Sequence, residues 1–278
     1  MISLGGLTSL SLPPFNWFFI NFFTFSILFI FLVKRIVRKV SKYFFYYGWL
    51  FGFGYFFSSL YWITISLTFD KNFALFIPLA LIIIPSFLGL FYASATFIFS
   101  LFKQKNILSS FFLFSLLFGI TEFIRGTILT GFPWNLIVYS LSKNLEFINI
   151  LSIIGTYSLN LIVISFFTLP ALLILRKSKK EIGVFIVFLL LSLIFFYYGI
   201  FQKNEYFKNK LKENPFTIRI VGSNISLDRF YEDIQAETII NELISISSPE
   251  KGKNILFIWP EGIIPDTYQD ELNLYKDI

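Results

Sequence analysis

Apolar runs long enough to cross a bilayer alternate with short polar breaks through the first two hundred residues. Asn16 to Val33 is one such run, and Phe44 to Thr68, Phe73 to Phe102, Ile107 to Ile124, Phe147 to Leu175 and Ile182 to Phe201 follow it. A membrane helix needs about 20 apolar residues, and each run approaches or exceeds that. Residues 1–12 are apolar but short, and Pro13-Pro14 closes them, so they read as a shortened or re-entrant first helix. Nothing basic precedes them, which argues against a cleaved signal peptide. The expectation over residues 1–202 is a polytopic α-helical membrane domain of six to seven spans. Gly48, Gly52, Gly54, Ser58 and Ser59 share one run and would let helix backbones approach closely. Pro78 and Pro85 are expected to kink the 73–102 run or delay its start. Gly126 to Tyr139, with Thr130-Gly131-Phe132-Pro133-Trp134-Asn135 inside it, reads as an irregular segment at the membrane surface.

The pattern changes at Gln202. Lys203 to Pro215 is polar and reads as a linker. Thr217 to Val221 alternates with β-branched residues and predicts a strand. Phe230 to Ile246 places Ile234, Ile239, Leu243 and Ile246 at helical spacing. Asn254 to Ile258 predicts a second strand. It stops at Trp259-Pro260, because proline has no N–H and holds the residue before it extended. Strand, helix, strand is a βαβ unit, normally one piece of a parallel sheet covered by helices. Two strands and a helix cannot build such a core alone. Residues 203–278 are therefore expected to be an incomplete segment of an αβ domain.

Charge adds orientation. The loops 34–42, 103–105 and 176–180 are rich in Lys and Arg, whereas 69–72, 126–144 and the exit after 201 are not. The positive-inside rule puts the basic loops in the cytoplasm and residues 203–278 outside it. The net charge of +6 is thereby accounted for without a nucleic-acid partner. Only 14% of residues are charged and 21% are aromatic, including 40 Phe, against about 25% charged in soluble domains. The chain holds no Cys and no His. That excludes a thiol nucleophile from this chain, disulfides, a Ser-His-Asp triad and a zinc site of the usual kind. Neither a metal nor a cofactor is expected.

Four stretches could carry function. Glu261 sits between Pro260 and Pro265 on a stiff loop after a strand, where scaffolds often present a catalytic acid or base; it could equally be a solvated loop carboxylate. Glu122 and Arg125, three residues apart at a helix end, read first as a local ion pair near the interface, although ionisable residues inside a membrane are functional candidates. Gly131-Phe132-Pro133-Trp134 is either an aromatic anchor at headgroup level or the border of a lipid-entry site, and Tyr61-Trp62 shares that ambiguity. Asp228, Glu232 and Asp233 read as a solvated face.

Taken in order, several motifs resemble bacterial apolipoprotein N-acyltransferases, members of the nitrilase (carbon-nitrogen hydrolase) superfamily. They are Ser11-Leu12-Pro13-Pro14-Phe15, Gly52-Phe53-Gly54 with Tyr61-Trp62, Glu122-Phe123-Ile124-Arg125-Gly126, Leu129-Thr130-Gly131-Phe132-Pro133-Trp134, and Trp259-Pro260-Glu261 with Ile264-Pro265. The resemblance implies a nitrilase-like αββα domain outside the cytoplasmic membrane, begun by residues 203–278. It also implies a reaction: an acyl chain passes from a phospholipid donor to an enzyme Cys, then to the α-amine of a diacylglyceryl apolipoprotein. Of the family's catalytic Glu, Lys and Cys, only the Glu maps here, onto Glu261 as general base. Trp134 and Tyr231 are the candidate substrate contacts. Around Val221-Gly222-Ser223-Asn224-Ile225 and Phe230-Tyr231 the chain departs from the family pattern. With no Cys and no mapped Lys, the chain alone is expected to be inactive, leaving room for a second chain that carries the rest of the nitrilase-like domain. The alternative is a non-catalytic polytopic membrane protein that binds or transports lipid or acts as a scaffold for another polypeptide. A membrane-tethered amidase fails on the same missing residues.

Overall fold

A computed structural model describes residues 1–35, 41–69, 71–102, 106–209, 216–222, 236–250 and 252–264. It divides into two compact units, Met1–Tyr206 and Phe207–Ile278.

The first unit is helical. Its elements are α1 (Ile2–Ser9), α2 (Ile20–Arg35), α3 (Ser41–Leu60), α4 (Ile77–Leu101), α5 (Ile107–Thr127), the short α6 (Leu145–Ile148) and α7 (Leu151–Ile154), α8 (Thr156–Ile174) and α9 (Lys179–Asn209). Among the described residues five helical stretches are long and apolar enough to cross a membrane: 41–68, 74–101, 107–127, 156–174 and 179–208. Six or seven were expected, and the difference lies at the start of the chain. The eight residues of α1 span about 12 Å at 1.5 Å per residue. Asn16 to Phe19 are not helical, so α2 keeps 16 described residues.

Other elements also depart from expectation. The 147–175 run breaks at Gly155, whose φ of +77° suits a residue without a Cβ and ends α7 before α8 begins. The 73–102 run, by contrast, starts its α-helix late, as expected: α4 begins at Ile77 with Pro78 in its first turn, where the missing N–H leaves no helical bond unmade, and Pro85 lies inside the helix. The polar stretch after Phe201 stays helical to Asn209. Gln, Lys and Glu are good helix formers, so polarity alone does not stop a helix.

The core is aromatic. Phe25, Phe29, Phe51, Phe111, Phe114, Phe118 and Phe167 are fully buried, meeting largely edge-to-face, as Phe29 and Phe114 do at 5.3 Å. Such contacts suit the ring quadrupole and supply the dispersion packing on which helix association in lipid depends. Where Pro170 lies within α8, the Ser26 hydroxyl of α2 donates to Phe167 O at 3.3 Å and accepts from Ala171 N–H at 3.2 Å. Gly54 brings α3 against α1, since a Cβ there would lie 2.1 Å from Ile2 O.

The second unit contains β1 (Thr217–Ile220), α10 (Ala236–Ser247) and β2 (Ile255–Ile258). The strands pair in parallel, Thr217 against Ile255 through Ile220 against Ile258, so the chain makes the expected strand–helix–strand unit. Of the helix expected from Phe230, the part from Ala236 is described, and it buries Ile239, Ile240 and Leu243. Ile218, Ile220, Leu256 and Ile258 share the other face of the pair and are exposed.

Candidate functional site

The residues with chemistry in the first unit gather where α5 ends. Glu122 and Arg125 are not a surface pair. Their side chains are wholly buried and joined through Arg125 Nη2 and Glu122 Oε2. The local pair matches expectation; what the spacing did not show is its complete burial within the protein. The reason is tertiary, because α3 and α4 pack Tyr55, Phe56 and Tyr92 over this turn. The Arg125 guanidinium lies 5.1 Å from the centre of the Phe56 ring. Tyr55 and Tyr92 stack at 6.1 Å, both within electrostatic reach of Glu122.

The other edge of the guanidinium holds the segment after α5. Arg125 Nη1 donates to Phe132 O at 2.6 Å and to Trp134 O at 2.9 Å. The Phe132 N–H returns a bond to Arg125 O at 2.9 Å. Two further ties flank the clamp: the Tyr55 hydroxyl donates to Asn135 O at 2.7 Å, and Asn135 Nδ2 donates to Ser59 O at 3.1 Å. The segment needs this holding. Leu129, Thr130, Gly131 and Asn135 have φ values of 52°, 74°, 80° and 56°. For Leu and Thr that region costs roughly 1–2 kcal/mol each. Hydrogen bonds to a charged donor contribute about 1.5–3 kcal/mol each, so two of them are of the size needed to offset the strain. At Gly131 a Cβ would come within 2.5 Å of Gly126 O, so glycine is required there twice over.

The clamped segment forms one side of a cleft of about 430 Å3, lined among others by Pro14, Ser58, Tyr61, Trp62, Trp134 and Tyr139. Trp134 packs on Trp62 at 5.1 Å between ring centres and on Phe132 at 6.3 Å. The two motifs read as aromatic anchors or as the border of a lipid-entry site, Tyr61-Trp62 and Gly131-Phe132-Pro133-Trp134, thus meet in one wall through Trp62 and Trp134. The lining is mostly apolar, with Leu12, Pro13, Pro14 and Phe15 beside two indoles, and carries hydroxyls and the Asn135 amide but no charged side chain among the described residues. A second cavity, about 220 Å3, is almost entirely apolar and lies among Phe18, Phe22, Phe147, Phe166, Phe188 and Phe195.

In the second unit Glu261 is exposed in a turn directly after β2, with Gly262 at a φ of 67° beside it. Trp259 anchors the turn by donating Nε1 to Ser247 Oγ of α10 at 2.9 Å. Tyr231 lies outside the described residues, as do Asp228, Glu232 and Asp233. Sequence reasoning passed over the clamp. Its signal was a charged pair inside a run whose neighbours place their charges in the loops, one residue before Gly126.

Residues 4–169 match the family model described as apolipoprotein N-acyltransferase N-terminal domain. Curated proteins named apolipoprotein N-acyltransferase are similar over nearly all of the chain. That of Brucella melitensis is 30% identical over 278 residues, covering 94% of this chain and 51% of its own length. That of Agrobacterium fabrum is 30% identical over 276 residues, covering 95% and 51%. That of Rhodopseudomonas palustris is 30% identical over 279 residues, covering 94% and 50%. The chain spans about half the length of these relatives. The matched residues contain α2 to α5, the clamp and the cleft, and this chain, a membrane protein by its helices, belongs to the apolipoprotein N-acyltransferase family.

Proposed function

We propose that this chain forms the lipid-handling part of an apolipoprotein N-acyltransferase of the bacterial inner membrane. The observation that carries the reading is the uncharged, tryptophan-walled cleft held at the end of α5, inside the segment that matches the family. Indole and hydroxyl groups suit the glycerol and ester region of a phospholipid, which is amphipathic and lies at the depth where tryptophan concentrates. Trp134 is the contact to that donor. Residues 1–202 make up the membrane domain. Residues 203–278 begin a nitrilase-like domain on the extracytoplasmic side, an orientation supported by the basic loops 34–42, 103–105 and 176–180.

Glu261 is the general base of the transfer. Its carboxylate takes the proton of a cysteine thiol, and the thiolate attacks the ester carbonyl of the phospholipid. The acyl–oxygen bond breaks, and the lysophospholipid leaves with the proton. In the second half the amine of the diacylglyceryl apolipoprotein attacks the thioester carbonyl while Glu261 takes its proton, the acyl–sulfur bond breaks, and Glu261 returns the proton to the departing thiolate. A lysine stabilises the oxyanion in both halves. Because this chain has no Cys, the thiol comes from another polypeptide segment, to which the reading assigns the lysine as well, and these 278 residues alone do not transfer acyl groups.

The test is reconstitution. The chain is co-expressed with the C-terminal half of the Brucella melitensis relative and supplied with phospholipid and a diacylated lipopeptide. Triacylated product is expected from the pair and not from the chain alone. Glu261→Gln in the pair is expected to lower the rate by at least about a hundredfold, the usual scale of a general base. Product from the chain alone, or a reconstituted rate indifferent to Glu261→Gln, overturns the proposal.

A further inference from the structure

We infer that Glu122 and Arg125 are positioning residues that shape the cleft from inside the bundle. They hold Trp134 against Trp62, so the wall that meets the lipid is set by a buried ion pair. The inference rests on reading the cleft as a lipid site, and it deepens that reading by naming what fixes the recognition surface.

Three observations converge. The first is aim. The guanidinium spends one edge on the carboxylate and the other on two backbone carbonyls of the loop, Phe132 O and Trp134 O. An ion pair serving only α5 would have no reason to reach the loop. The planar fork spreads its donors over two separated nitrogens, Nη1 toward the loop and Nη2 toward the carboxylate, a geometry that the single nitrogen of an ammonium does not reproduce. The second is conformation. Leu129 and Thr130 lie in the left-handed region together with Gly131, and non-glycine residues stay there only when their surroundings over-determine them. The clamp is that surrounding. The third is burial. Both side chains are removed from solvent, where an ion pair contributes little net stability relative to apolar residues of the same size. A pair kept at such a position is explained by what it orients. Glu122 holds the guanidinium in place and balances its charge; Tyr55 continues the same function one residue further, on Asn135 O.

The experiment uses the full chain in lipid nanodiscs, with Trp17, Trp49, Trp62 and Trp259 replaced by Phe so that Trp134 is the only indole. Three quantities are read: Trp134 quenching by acrylamide, its quenching by phospholipid brominated on the acyl chains, and the melting midpoint. The parent is expected to show strong bromolipid quenching and weak acrylamide quenching. Glu122→Leu with Arg125→Met replaces the pair by apolar residues of similar volume. It is expected to keep the helicity of the parent and a midpoint within a few degrees of it while acrylamide quenching of Trp134 rises about twofold or more, the signature of a side chain freed on the nanosecond scale. Arg125→Lys keeps a charge beside Glu122 but loses the fork, and it is expected to shift Trp134 in the same direction. The lysine variant decides the matter if the double variant does not fold. Trp134 quenching equal to the parent's in a folded Arg125→Lys or double variant overturns the inference. A parent that bromolipid does not quench, with clamp variants that still release Trp134, sinks the lipid reading and leaves the positioning role standing.

Discussion

The two compact units each contain an arginine with the same set of partners. Arg125 bonds two backbone carbonyls, Phe132 O and Trp134 O, one carboxylate, Glu122, and covers one ring, Phe56. Arg219 bonds Ser247 O at 2.8 Å and Ser248 O at 2.6 Å, pairs with Glu250 at 2.8 Å, and lies over Phe257 at 5.8 Å. Both hold the chain as it leaves a helix. Their surroundings differ completely. Arg125 and Glu122 are 0% exposed, whereas Arg219 and Glu250 are 32% and 45% exposed. Removing one partner of a fully buried pair leaves a charge with no water to turn to, while an exposed pair is backed by solvent and screened by salt. The bond list is therefore a poor guide to how much each arginine matters.

The largest expected effect comes from breaking the buried pair on one side only. Arg125→Ala strands Glu122 and should cost about 3–5 kcal/mol. For a unit of this size that is a fall in melting midpoint of roughly 10 °C, measured by circular dichroism in nanodiscs. The apolar double substitution of the same pair should move the midpoint by a few degrees at most. A single substitution as mild as the double one would mean that water reaches Glu122, and the contrast between the units would fail.

Next in size is the loop. Gly131→Ala adds a Cβ 2.5 Å from Gly126 O at a φ of +80°. Overpacking and left-handed strain together should cost about 2–3 kcal/mol. The measurement is hydrogen exchange of residues 126–136, which should speed up while α2 and α8 keep their protection. Exchange that accelerates everywhere would show that the loop is part of the fold's foundation and not a surface held by it.

These two cases also mark what the chain made readable. The membrane helices could be located from apolar runs and flanking basic residues, because both signals are local. Two strands around a helix were likewise visible, and β2 ends at Ile258 where Trp259-Pro260 predicts it. The burial of Glu122 and Arg125 was not visible. Spacing of three predicts a pair but says nothing of Tyr55, Phe56 and Tyr92, which come from 30 to 70 residues away along the chain. The break at Gly155 was missed for a similar reason: a lone glycine in an apolar run is tolerated in many helices, and only the backbone shows its φ of +77°. The two tryptophans of the cleft each suggested an interfacial anchor or the border of a lipid-entry site. That they form one wall depends on the Arg125 clamp on the loop, flanked by the ties from Asn135 to α3, which no short motif encodes.

In the second unit, Arg219→Ala should lower the midpoint of that unit by no more than about 8 °C. A single-Trp variant retaining Trp259 gives the reading, because its Nε1 bond to Ser247 Oγ ties the indole to α10. Salt at 1 M, with a screening length near 3 Å, should erase most of the difference between parent and variant here and leave the Arg125→Ala difference in the first unit intact.

The smallest effect is a pH dependence confined to the second unit. The Glu250 carboxyl is held below its ordinary value, first by the hydrogen bond from Lys253 and then by that from Arg219. The folded state therefore binds the proton less readily than the unfolded chain does. Stability rises with pH wherever the unfolded state carries more protons. The contribution of Glu250 is accordingly present above the ordinary glutamate value near 4.5 and is lost as pH falls through the lower folded value. Trp259 melting should be flat from pH 8 to about 5 and then decline with acid, as carboxylate titration requires. Glu250→Gln should remove part of that decline, and it should do so without moving Trp134, whose supports in the first unit do not include this carboxylate. An acid-dependent shift of Trp134 that Glu250→Gln abolishes would break the separation, because it would require the exposed arginine site to act on the buried one.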